Sequence, residues 1–432
     1  MDEKRLTILQ KFFALLLCSI IFMMVYNFAA WYTSTLTTVP SLVFVFEKYI
    51  PFIPWAIIPY MTSGLFFCTV FFLCKEKEQL IVLTRRILFV TLTAGFCFIV
   101  FPLRFSLPKP EIENPFLQYS FQFLKTFDSP FNQAPSLHIA YAFIFWSVFR
   151  ELKKFRAFLM IALLLLGIST LTTYQHHIID IVMGSILAHL SLIIFPFRKN
   201  TILYRNFHVA NVYFFAGWIL ILMTLLMNQL IGFLALIILW PAFIIFLVGF
   251  HYQKNNIYFL KNRAGNISWI KKIFYFPYVI IYRISWIFFR KNKVPVQVFH
   301  GLYISSRPDS EDLKNFTASA IYDLSSEMEE VAALKENPGY HFVPFLDIGT
   351  FDIHETQKLV SDITKHYTTL PKDGKILIHC TMGFTRSSVI AILVMKNILS
   401  LSLEETIITM KTINKNMVTP SYLQDFLKNF KI

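Results

Sequence analysis

Long apolar runs occupy most of the first 253 residues of this 432-residue chain, and they limit its fold more than any other feature. A helix that crosses a membrane needs about 20 predominantly apolar residues. The runs therefore predict an α-helical polytopic membrane domain with about eight spans. Composition agrees, because 56% of the residues are hydrophobic, against about 45–50% in soluble domains. The spans are expected at 10–32, 52–74, 87–103, 136–150, 156–174, 178–197, 210–228 and 230–252.

The loops between these runs are alternately basic and nearly uncharged. Cytoplasmic loops carry an excess of Lys and Arg, so the alternation predicts that both termini are cytoplasmic. The first run lacks a clear small-residue cleavage site, which predicts an uncleaved anchor. The net charge of +14 favours anionic lipid headgroups as partners, and no motif indicates nucleic acid. The basic residues are Lys4, Arg5 and Lys11; Lys75, Lys77, Arg85 and Arg86; Arg150, Lys153, Lys154 and Arg156; Arg198, Lys199 and Arg205; and Lys254, Lys261 and Arg263.

A basic, aromatic segment at 267–290 links the apolar part of the chain to the remainder. Its length suggests another span, but two lysines, a proline and an arginine interrupt it. Because Trp and Tyr favour the headgroup region, we expect an interfacial helix on the inner leaflet. The expected division of the chain is a membrane domain at 1–255, a linker with this helix at 256–292, and a third domain at 293–432.

The chain changes to a mixed α/β character after Lys293. Short runs rich in β-branched residues predict strands, and longer periodic runs predict helices. About 140 residues are enough for one independent domain. The expected strands are 296–304, 319–324, 341–347 and 375–380, and the expected helices are 354–369, 386–399, 402–413 and 421–430.

The segment KILIHCTMGFTRSS places a cysteine between a buried strand and a helix. Loop amides at a helix N-terminus form a cradle for an anion, and the same positive field favours the thiolate of Cys380. Arg386 can hold two phosphate oxygens at once. Gly383 lets the backbone approach the phosphate, and Ser387 can stabilise the thiolate as a leaving group. The other loop residues expected to contact the substrate are Thr381, Met382, Phe384 and Thr385.

These residues resemble the HCxxGxxRS signature of the protein tyrosine and dual-specificity phosphatases, and the similarity extends over about 290–432. The family's opening strands, acid loop and closing helix resemble VFHGLYISSRP, VPFLDIGTFDI and VTPSYLQDFLKNF. In that family an upstream aspartate protonates the leaving oxygen, a role that the resemblance assigns to Asp347, with Asp352 as second choice. The loop contains no Lys, so we expect a singly phosphorylated substrate, either a phosphoprotein or a phospholipid headgroup.

Two polar clusters lie at membrane depth, where polar side chains are functional candidates. One is APSLH, with Ser136 and His138, and the other is STLTTYQHHIIDIVMG, with His176, His177 and Asp180. The alternation of the loops predicts that both clusters lie on the outer side of the membrane.

The clusters resemble the later motifs of the PAP2 superfamily, PSGH and SRxxxxxHxxxD. Leu137 replaces the Gly of the first motif, and Thr170, after Ser169, replaces the Arg of the second. These departures are similar to the branch that contains inositol phosphorylceramide and sphingomyelin synthases. The family's first motif is not recognisable, and Arg104 is the best substitute for its phosphate-binding cation.

The PAP2 resemblance implies a reaction through a phosphohistidine. His176 would attack phosphorus, Asp180 would fix its tautomer, and His138 would protonate the leaving oxygen. Ser136 and Arg104 would hold phosphate oxygens, whereas the second histidine of the pair would be a neighbour only. We expect no cofactor and no metal.

The order of the two parts resembles bacterial fusions of a PAP2 domain with a dual-specificity phosphatase, over about residues 80–432. The resemblance implies a bifunctional phosphatase of the bacterial inner membrane, with an outward lipid-phosphate site and a separate cytoplasmic cysteine site. A second interpretation makes the membrane half a headgroup phosphotransferase and the inner domain a processing phosphatase. A third keeps the PAP2-like half as an anchor or lipid sensor.

Overall fold

The apolar part of the chain forms helices, as its hydrophobic runs predict. The computed structural model describes residues 6–197 and 201–431, so the basic residues Lys4, Arg5, Arg198 and Lys199 of the predicted topology lie outside the described residues. The helices are α1 (Ile8–Ser34), α2 (Ile57–Leu73), α3 (Lys77–Val100), α4 (Pro115–Lys125), α5 (Leu137–Phe149), α6 (Arg156–Thr172), α7 (Ile178–Ile194), α8 (Ile202–Ile231) and α9 (Leu239–Gln253).

Four helical segments of the described residues are long and apolar enough to cross a membrane. They are Ile8–Ser34, Pro54–Leu73, Lys77–Val100 and Ile202–Gln253. These segments are consistent with the predicted membrane protein. The predicted count of about eight spans is not confirmed, because α5, α6 and α7 are apolar but have only 13, 17 and 17 residues.

The last of these segments has 52 residues and contains both the seventh and the eighth predicted spans. A short 3₁₀ segment, Gly232–Ile238, separates α8 from α9, and Gly232 has a φ of +61°. The rings of Tyr213 in α8 and Tyr252 in α9 lie 5.1 Å apart. The two helices therefore form a hairpin whose ends come back together.

The chain divides into two compact units. Helix α3 contributes Leu83, Ile87 and Val90 to the core of the first unit. On the same helix, the guanidinium of Arg86 is buried and donates to the carbonyl of Phe195, just after α7, at 3.0 and 2.7 Å. A cation at a helix C-terminus is favourable, so Arg86 stabilises the fold. The first unit comprises Met1–Phe197 and Phe214–Ala242, and the second comprises Arg198–Tyr213 and Phe243–Ile432.

The second unit contains the predicted α/β fold. Its strands are β1 (Val296–Phe299), β2 (Leu302–Ser306), β3 (Ala320–Ser325), β4 (Tyr340–Phe345) and β5 (Ile376–Cys380). They form one sheet in the order β1-β2-β5-β3-β4, parallel except for the antiparallel pair β1 and β2. Strand β5 is central and buried throughout, as expected for a parallel strand that is covered on both faces.

The helices of the second unit are α10 (Trp269–Phe274), α11 (Phe276–Phe289), α12 (Ala332–Lys335), α13 (Ile353–Thr368), α14 (Arg386–Leu399), α15 (Leu403–Ile413) and α16 (Ser421–Asn429). The elements predicted after Lys293 are confirmed, except that the first strand is a hairpin of β1 and β2 that turns at Gly301, with a φ of +77°. The predicted interfacial helix is two helices that meet at Tyr275. Helix α11 has 14 residues, fewer than a span needs.

Candidate active sites

The loop after β5 is held in shape by hydrogen bonds that its carbonyls accept from outside the loop. The carbonyls of Thr381, Met382, Gly383 and Phe384 each accept a hydrogen bond from another part of the second unit. The donors are the backbone of Arg307 (3.3 Å), the backbone of Lys291 (3.0 Å), the side chain of Asn414 (3.0 Å) and the backbone of Val418 (3.3 Å). Such a loop, followed directly by α14, is an anion-binding cradle.

Gly383 and Ser387 define the space around the cysteine. Gly383 has a φ of +79°, and a Cβ there would lie 2.5 Å from the carbonyl oxygen of Lys291, so a side chain would displace this segment. The sulfur of Cys380 lies 3.4 Å from the hydroxyl of Ser387. Cys380 is 2% exposed, which places the nucleophile at the base of the cradle.

Arg386 is held in place by a residue that the sequence analysis missed. The buried carboxylate of Glu327 accepts from both terminal nitrogens of Arg386 at 3.0–3.1 Å. Thr381 accepts from the same guanidinium at 3.1 Å, and the carbonyl of Phe345 accepts at 2.8 Å. A charge-assisted, two-pronged contact of this kind fixes the plane of the guanidinium. The sequence feature that could have identified Glu327 is its position in DLSSE, just after strand β3.

Asp347 lies beside Arg386, on the loop that follows β4. The two side chains approach to 3.3 Å. The hydroxyl of Tyr282 donates to the carboxylate of Asp347 at 3.2 Å, and that of Tyr252 donates to its carbonyl at 2.9 Å. Burial raises the pKa of Asp347, and Glu327 raises it further, while Arg386 opposes the shift. A raised pKa favours the protonated form that a general acid needs.

Asp352, the second choice for the acid, has a structural contact instead. Its carboxylate accepts from the backbone amide of Glu355 at 3.0 Å and caps the N-terminus of α13. An N-cap of this kind stabilises the first turn of a helix.

A buried polar cluster lies beneath the loop. Asp323, Glu330 and His379 are the group of described residues that lie close enough to hold a metal ion. However, Lys261 contacts Asp323 at 2.7 Å, and Arg307 lies 3.6 Å from Glu330. Lys261 balances the charge of Asp323, and burial together with Asp323 raises the pKa of Glu330 to about 8. Glu330 is therefore protonated at neutral pH, and the cluster does not require a divalent ion. Burial lowers the pKa of His379 to about 4, which keeps this imidazole neutral.

The first unit brings the predicted histidines together. The Nδ1 atom of His176 lies 3.3 Å from the carboxylate of Asp180, one turn further along the chain, and the His138 and His176 rings are 5.8 Å apart. The same carboxylate oxygen of Asp180 accepts from the backbone amide of His177 at 2.8 Å. The Nε2 atom of His176 is therefore the ring nitrogen that can meet a substrate.

Ser136 is positioned by direct contact with α7. Its amide donates to the carbonyl of Asp180 at 3.0 Å, and a Cβ on Gly184 would lie 2.5 Å from the Ser136 carbonyl oxygen. Only a glycine allows this close approach. The hydroxyl of Ser136 is buried without a hydrogen-bond partner, as expected for a group that a phosphate oxygen would satisfy.

Two carboxylates near these histidines were not predicted. Asp128 accepts from the hydroxyls of Tyr26 and Tyr60, and the Tyr60 hydroxyl lies 3.4 Å from Nδ1 of His138. A carboxylate oxygen of Glu47 lies 2.8 Å from Nδ1 of His177. Asp128 lies in a loop and Glu47 in a short 3₁₀ helix, Val45–Tyr49. Both are distant in sequence from the histidine motifs, so no spacing pattern identified them.

Two cations lie on the loop between α3 and α4: Arg104, which is the predicted phosphate-binding cation, and Lys109. The backbone amide of Arg104 donates to Pro40 at 2.9 Å, and its side chain is exposed. Lys109, on the same loop, lies 5.8–5.9 Å from the ring centroids of Phe105 and Phe121. Burial lowers its pKa to about 8. The Thr170 hydroxyl donates to the carbonyl of Gly167, in its own helix, at 2.7 Å. Thr170 is uncharged, so this position does not supply the positive charge of the motif's Arg.

Comparisons with known proteins agree with the predicted PAP2 resemblance. Residues 83–201 match the family model described as the PAP2 superfamily, so this resemblance is confirmed for that segment, which contains His138, His176 and Asp180. No curated protein matches the chain.

Several solved phosphatase structures are similar to part of the chain. Tk-PTP in the active form is 18% identical, with a TM-score of 0.28, and covers 31% of this chain and 93% of that chain. Human DUSP28 is 15% identical, with a TM-score of 0.27, and covers 32% and 93%. PTPMT1 in complex with PI(5)P is 15% identical, with a TM-score of 0.27, and covers 31% and 94%.

Proposed function

We propose that the chain is a bifunctional integral-membrane phosphatase of the bacterial inner membrane, with both termini in the cytoplasm. A cytoplasmic site at Cys380 hydrolyses phosphomonoesters, and a PAP2-type site at His176 acts on lipid phosphates at the outer face. The observation that carries the proposal is the cradle of the loop after β5. It combines a buried thiol, a loop whose carbonyls are bound from outside, and an arginine whose guanidinium is held by Glu327.

The reaction at the cysteine site proceeds in two steps. The thiolate of Cys380 attacks phosphorus, the bond from phosphorus to the ester oxygen breaks, and Asp347 gives its proton to that oxygen. Arg386 and the loop amides stabilise the charge on the three remaining oxygens. Water then attacks the cysteinyl-phosphate and transfers a proton to Asp347. Phosphate leaves, and Ser387 stabilises the thiolate that re-forms.

The reaction at the histidine site also proceeds in two steps, through a phosphohistidine. His176 attacks phosphorus through Nε2, because Nδ1 faces Asp180. The bond to the lipid oxygen breaks, and His138 protonates that oxygen. Water then attacks the phosphohistidine, returns a proton to His138, and phosphate is released. The Ser136 hydroxyl donates a hydrogen bond to a phosphate oxygen, with Arg104 or the nearby Lys109 as the cation.

A transferase is the second candidate for the histidine site. Its support is the side chain of Thr170, which occupies the position of the family's Arg and bonds to its own helix. With less positive charge around the phosphate, the phosphohistidine step would also suit attack by an alcohol rather than by water. An anchor or lipid sensor is the remaining alternative for this half.

The test uses the full-length protein in detergent, with two substrates. We expect Cys380→Ser to abolish hydrolysis of the soluble aryl ester p-nitrophenyl phosphate, and His176→Ala to abolish turnover of phosphatidic acid. Cys97→Ser and His300→Ala are matched controls outside both sites. Retained aryl phosphatase activity in Cys380→Ser would contradict the cysteine mechanism. Chromatography of the lipid products separates hydrolysis, a new lipid species, and no reaction.

A further inference from the structure

The loop that carries Asp347, which we call the acid loop, spans 346–352 between β4 and α13. Both of its ends are anchored in the α/β fold. Just before the loop, the carbonyl of Phe345 accepts from Arg386 at 2.8 Å. Near its end, the buried ring of Phe351 lies 4.8 Å from the ring of Phe345 and 5.5 Å from that of Phe426. Asp347 lies between these anchors, so its position depends on what holds the middle of the loop.

The middle of the acid loop has a strained backbone. Ile348 has a φ of +57°, and this left-handed conformation is a genuine outlier for a β-branched residue. The amide of Gly349 donates to the carbonyl of Leu346 at 3.3 Å, which closes a tight turn around the strained residue. A backbone of this kind persists only where the surrounding structure holds it. The contacts that hold Ile348 therefore also fix the adjacent Asp347.

Two of these contacts come from the ends of the hairpin formed by α8 and α9. This hairpin, Ile202–Gln253, is long and apolar enough to cross a membrane. In the first turn of α8, Nε of Arg205 donates to the carbonyl of Ile348 at 2.8 Å. Near the end of α9, the hydroxyl of Tyr252 donates to the carbonyl of Asp347 at 2.9 Å. All of these residues except the apolar middle of the hairpin belong to the second unit. The hairpin ends therefore bind two consecutive carbonyls of the acid loop.

Arg205 is itself held in a defined geometry. Its guanidinium carbon lies 3.9 Å from the centroid of the Tyr422 ring on α16, a distance at which a cation is attracted to an aromatic face. The hydroxyl of Tyr422 donates to the same carbonyl of Ile348 at 3.2 Å. The next residue of α8, Asn206, is buried and donates to the side chain of Asn255 at 2.9 Å. Arg205 therefore connects α8, α16 and the acid loop.

We propose that Arg205 is a positioning residue for the general acid Asp347, so that the hairpin of α8 and α9 supplies a working part of the cysteine site. This inference rests on the proposed hydrolysis at Cys380. Arg205 acts through the carbonyl of Ile348 and keeps the carboxyl group of Asp347 beside Arg386, at 3.3 Å. Without this hydrogen bond the strained turn relaxes, and the acid is displaced from the leaving oxygen. Attack by the thiolate is unchanged, so the loss appears only where the leaving oxygen needs a proton.

The experiment compares two aryl esters on the full-length protein in detergent, in a His176→Ala background so that the histidine site does not contribute. The p-nitrophenolate ion leaves readily without a proton, whereas phenolate is a poorer leaving group and depends on the acid. The measured quantity is the ratio of kcat/KM for phenyl phosphate to kcat/KM for p-nitrophenyl phosphate. Arg205→Met should lower this ratio about five- to twentyfold, which is part of what a general acid contributes. Arg205→Lys should keep the ratio near the wild-type value, because its ammonium can still donate to the Ile348 carbonyl.

Two controls separate positioning from folding. Arg263→Met removes an exposed cation from the same unit and should leave the ratio unchanged. Retained turnover of p-nitrophenyl phosphate shows that Arg205→Met is folded. If that variant does not fold, Tyr252→Phe removes the other hydrogen bond from the hairpin with little change of shape. It should lower the ratio in the same direction, whereas Tyr303→Phe, whose ring packs on Phe316 at 5.0 Å, should not.

Asp347→Asn distinguishes failure of this inference from failure of the proposed function. This variant should lower the ratio, and adding Arg205→Met to it should lower the ratio no further, because both changes affect one proton transfer. An equal effect of Arg205→Met on both esters, or a further drop of the ratio in the double variant, would overturn the inference alone. An unchanged ratio in Asp347→Asn, or activity retained in Cys380→Ser, would overturn the proposed mechanism and the inference with it.

Discussion

Glu327 binds both terminal nitrogens of Arg386 at 3.0–3.1 Å, from a buried position just beyond β3. The contact orients the guanidinium before any phosphate arrives, which lowers the reorganisation needed in the transition state. It also balances the charge of a buried arginine, which would otherwise be costly. The cysteine site therefore depends on a residue far from its loop.

Glu327→Gln tests this dependence. The amide keeps the shape of the side chain but removes its charge, so the guanidinium is less firmly held. We expect kcat/KM for p-nitrophenyl phosphate to fall about ten- to a hundredfold, which corresponds to about 1.4–2.7 kcal/mol. Glu336→Gln, on an exposed helix end, is the control. An unchanged kcat/KM in Glu327→Gln would show that Arg386 is oriented without this carboxylate.

The pH dependence of the cysteine site follows from Asp347. Because burial raises its pKa, this residue keeps its proton to a higher pH than an ordinary aspartate. For an alkyl phosphate, kcat/KM should decline as the pH rises through that pKa, since the carboxylate cannot donate. The hydroxyl of Tyr282 stabilises the carboxylate and lowers the pKa. Tyr282→Phe should therefore move the alkaline limb of the pH profile to higher pH. A shift to lower pH would contradict the assigned contact.

The histidine site should depend strongly on Asp180. Its carboxylate faces Nδ1 of His176 and fixes the tautomer that leaves Nε2 free. We expect Asp180→Asn to lower turnover of phosphatidic acid by at least about 10²-fold, without affecting p-nitrophenyl phosphate. Product release from labelled lipid measures the first activity. Glu113→Gln, in an exposed loop, is the control. Equal loss of both activities would indicate a folding defect instead.

A further pH effect concerns stability. Burial and the neighbouring Asp323 raise the pKa of Glu330 from 4.5 to about 8. The folded state thus binds the Glu330 proton more tightly than the unfolded state does. The resulting stabilisation of the folded state is complete below pH 4.5 and is lost as the pH rises to about 8. Glu330→Gln should make the unfolding temperature less dependent on pH across this interval than it is in the wild type. An identical pH dependence in both proteins would contradict the assigned shift.

The parts of the site that were predicted from the sequence are contiguous in it. Cys380, Gly383, Arg386 and Ser387 share one loop, and His176 and Asp180 share one helical turn, so spacing alone places them together. The groups that support them are distant in sequence. Glu327 lies 59 positions from Arg386, and Tyr252 lies 95 positions from Asp347. Only the fold brings these groups into contact.

The membrane half shows a similar limit. Hydropathy located the apolar segments, because a span must be apolar along its whole length. It did not distinguish short helices that pack inside the first unit, such as α5, from helices long enough to span. The carboxylates of Asp128 and Glu47 were missed because each is distant in sequence from the histidines and reaches them only through tertiary contacts.

The most direct test of the two-site account is to map the phosphoenzyme. Full-length protein is mixed with radiolabelled p-nitrophenyl phosphate or radiolabelled phosphatidic acid, stopped rapidly with denaturant and digested. We expect the aryl ester to label the peptide that contains Cys380, with more label in Asp347→Asn because hydrolysis of the cysteinyl-phosphate is slowed. The lipid should label the peptide that contains His176. Label that persists with the aryl ester in Cys380→Ser, or that maps to neither peptide, would contradict the account.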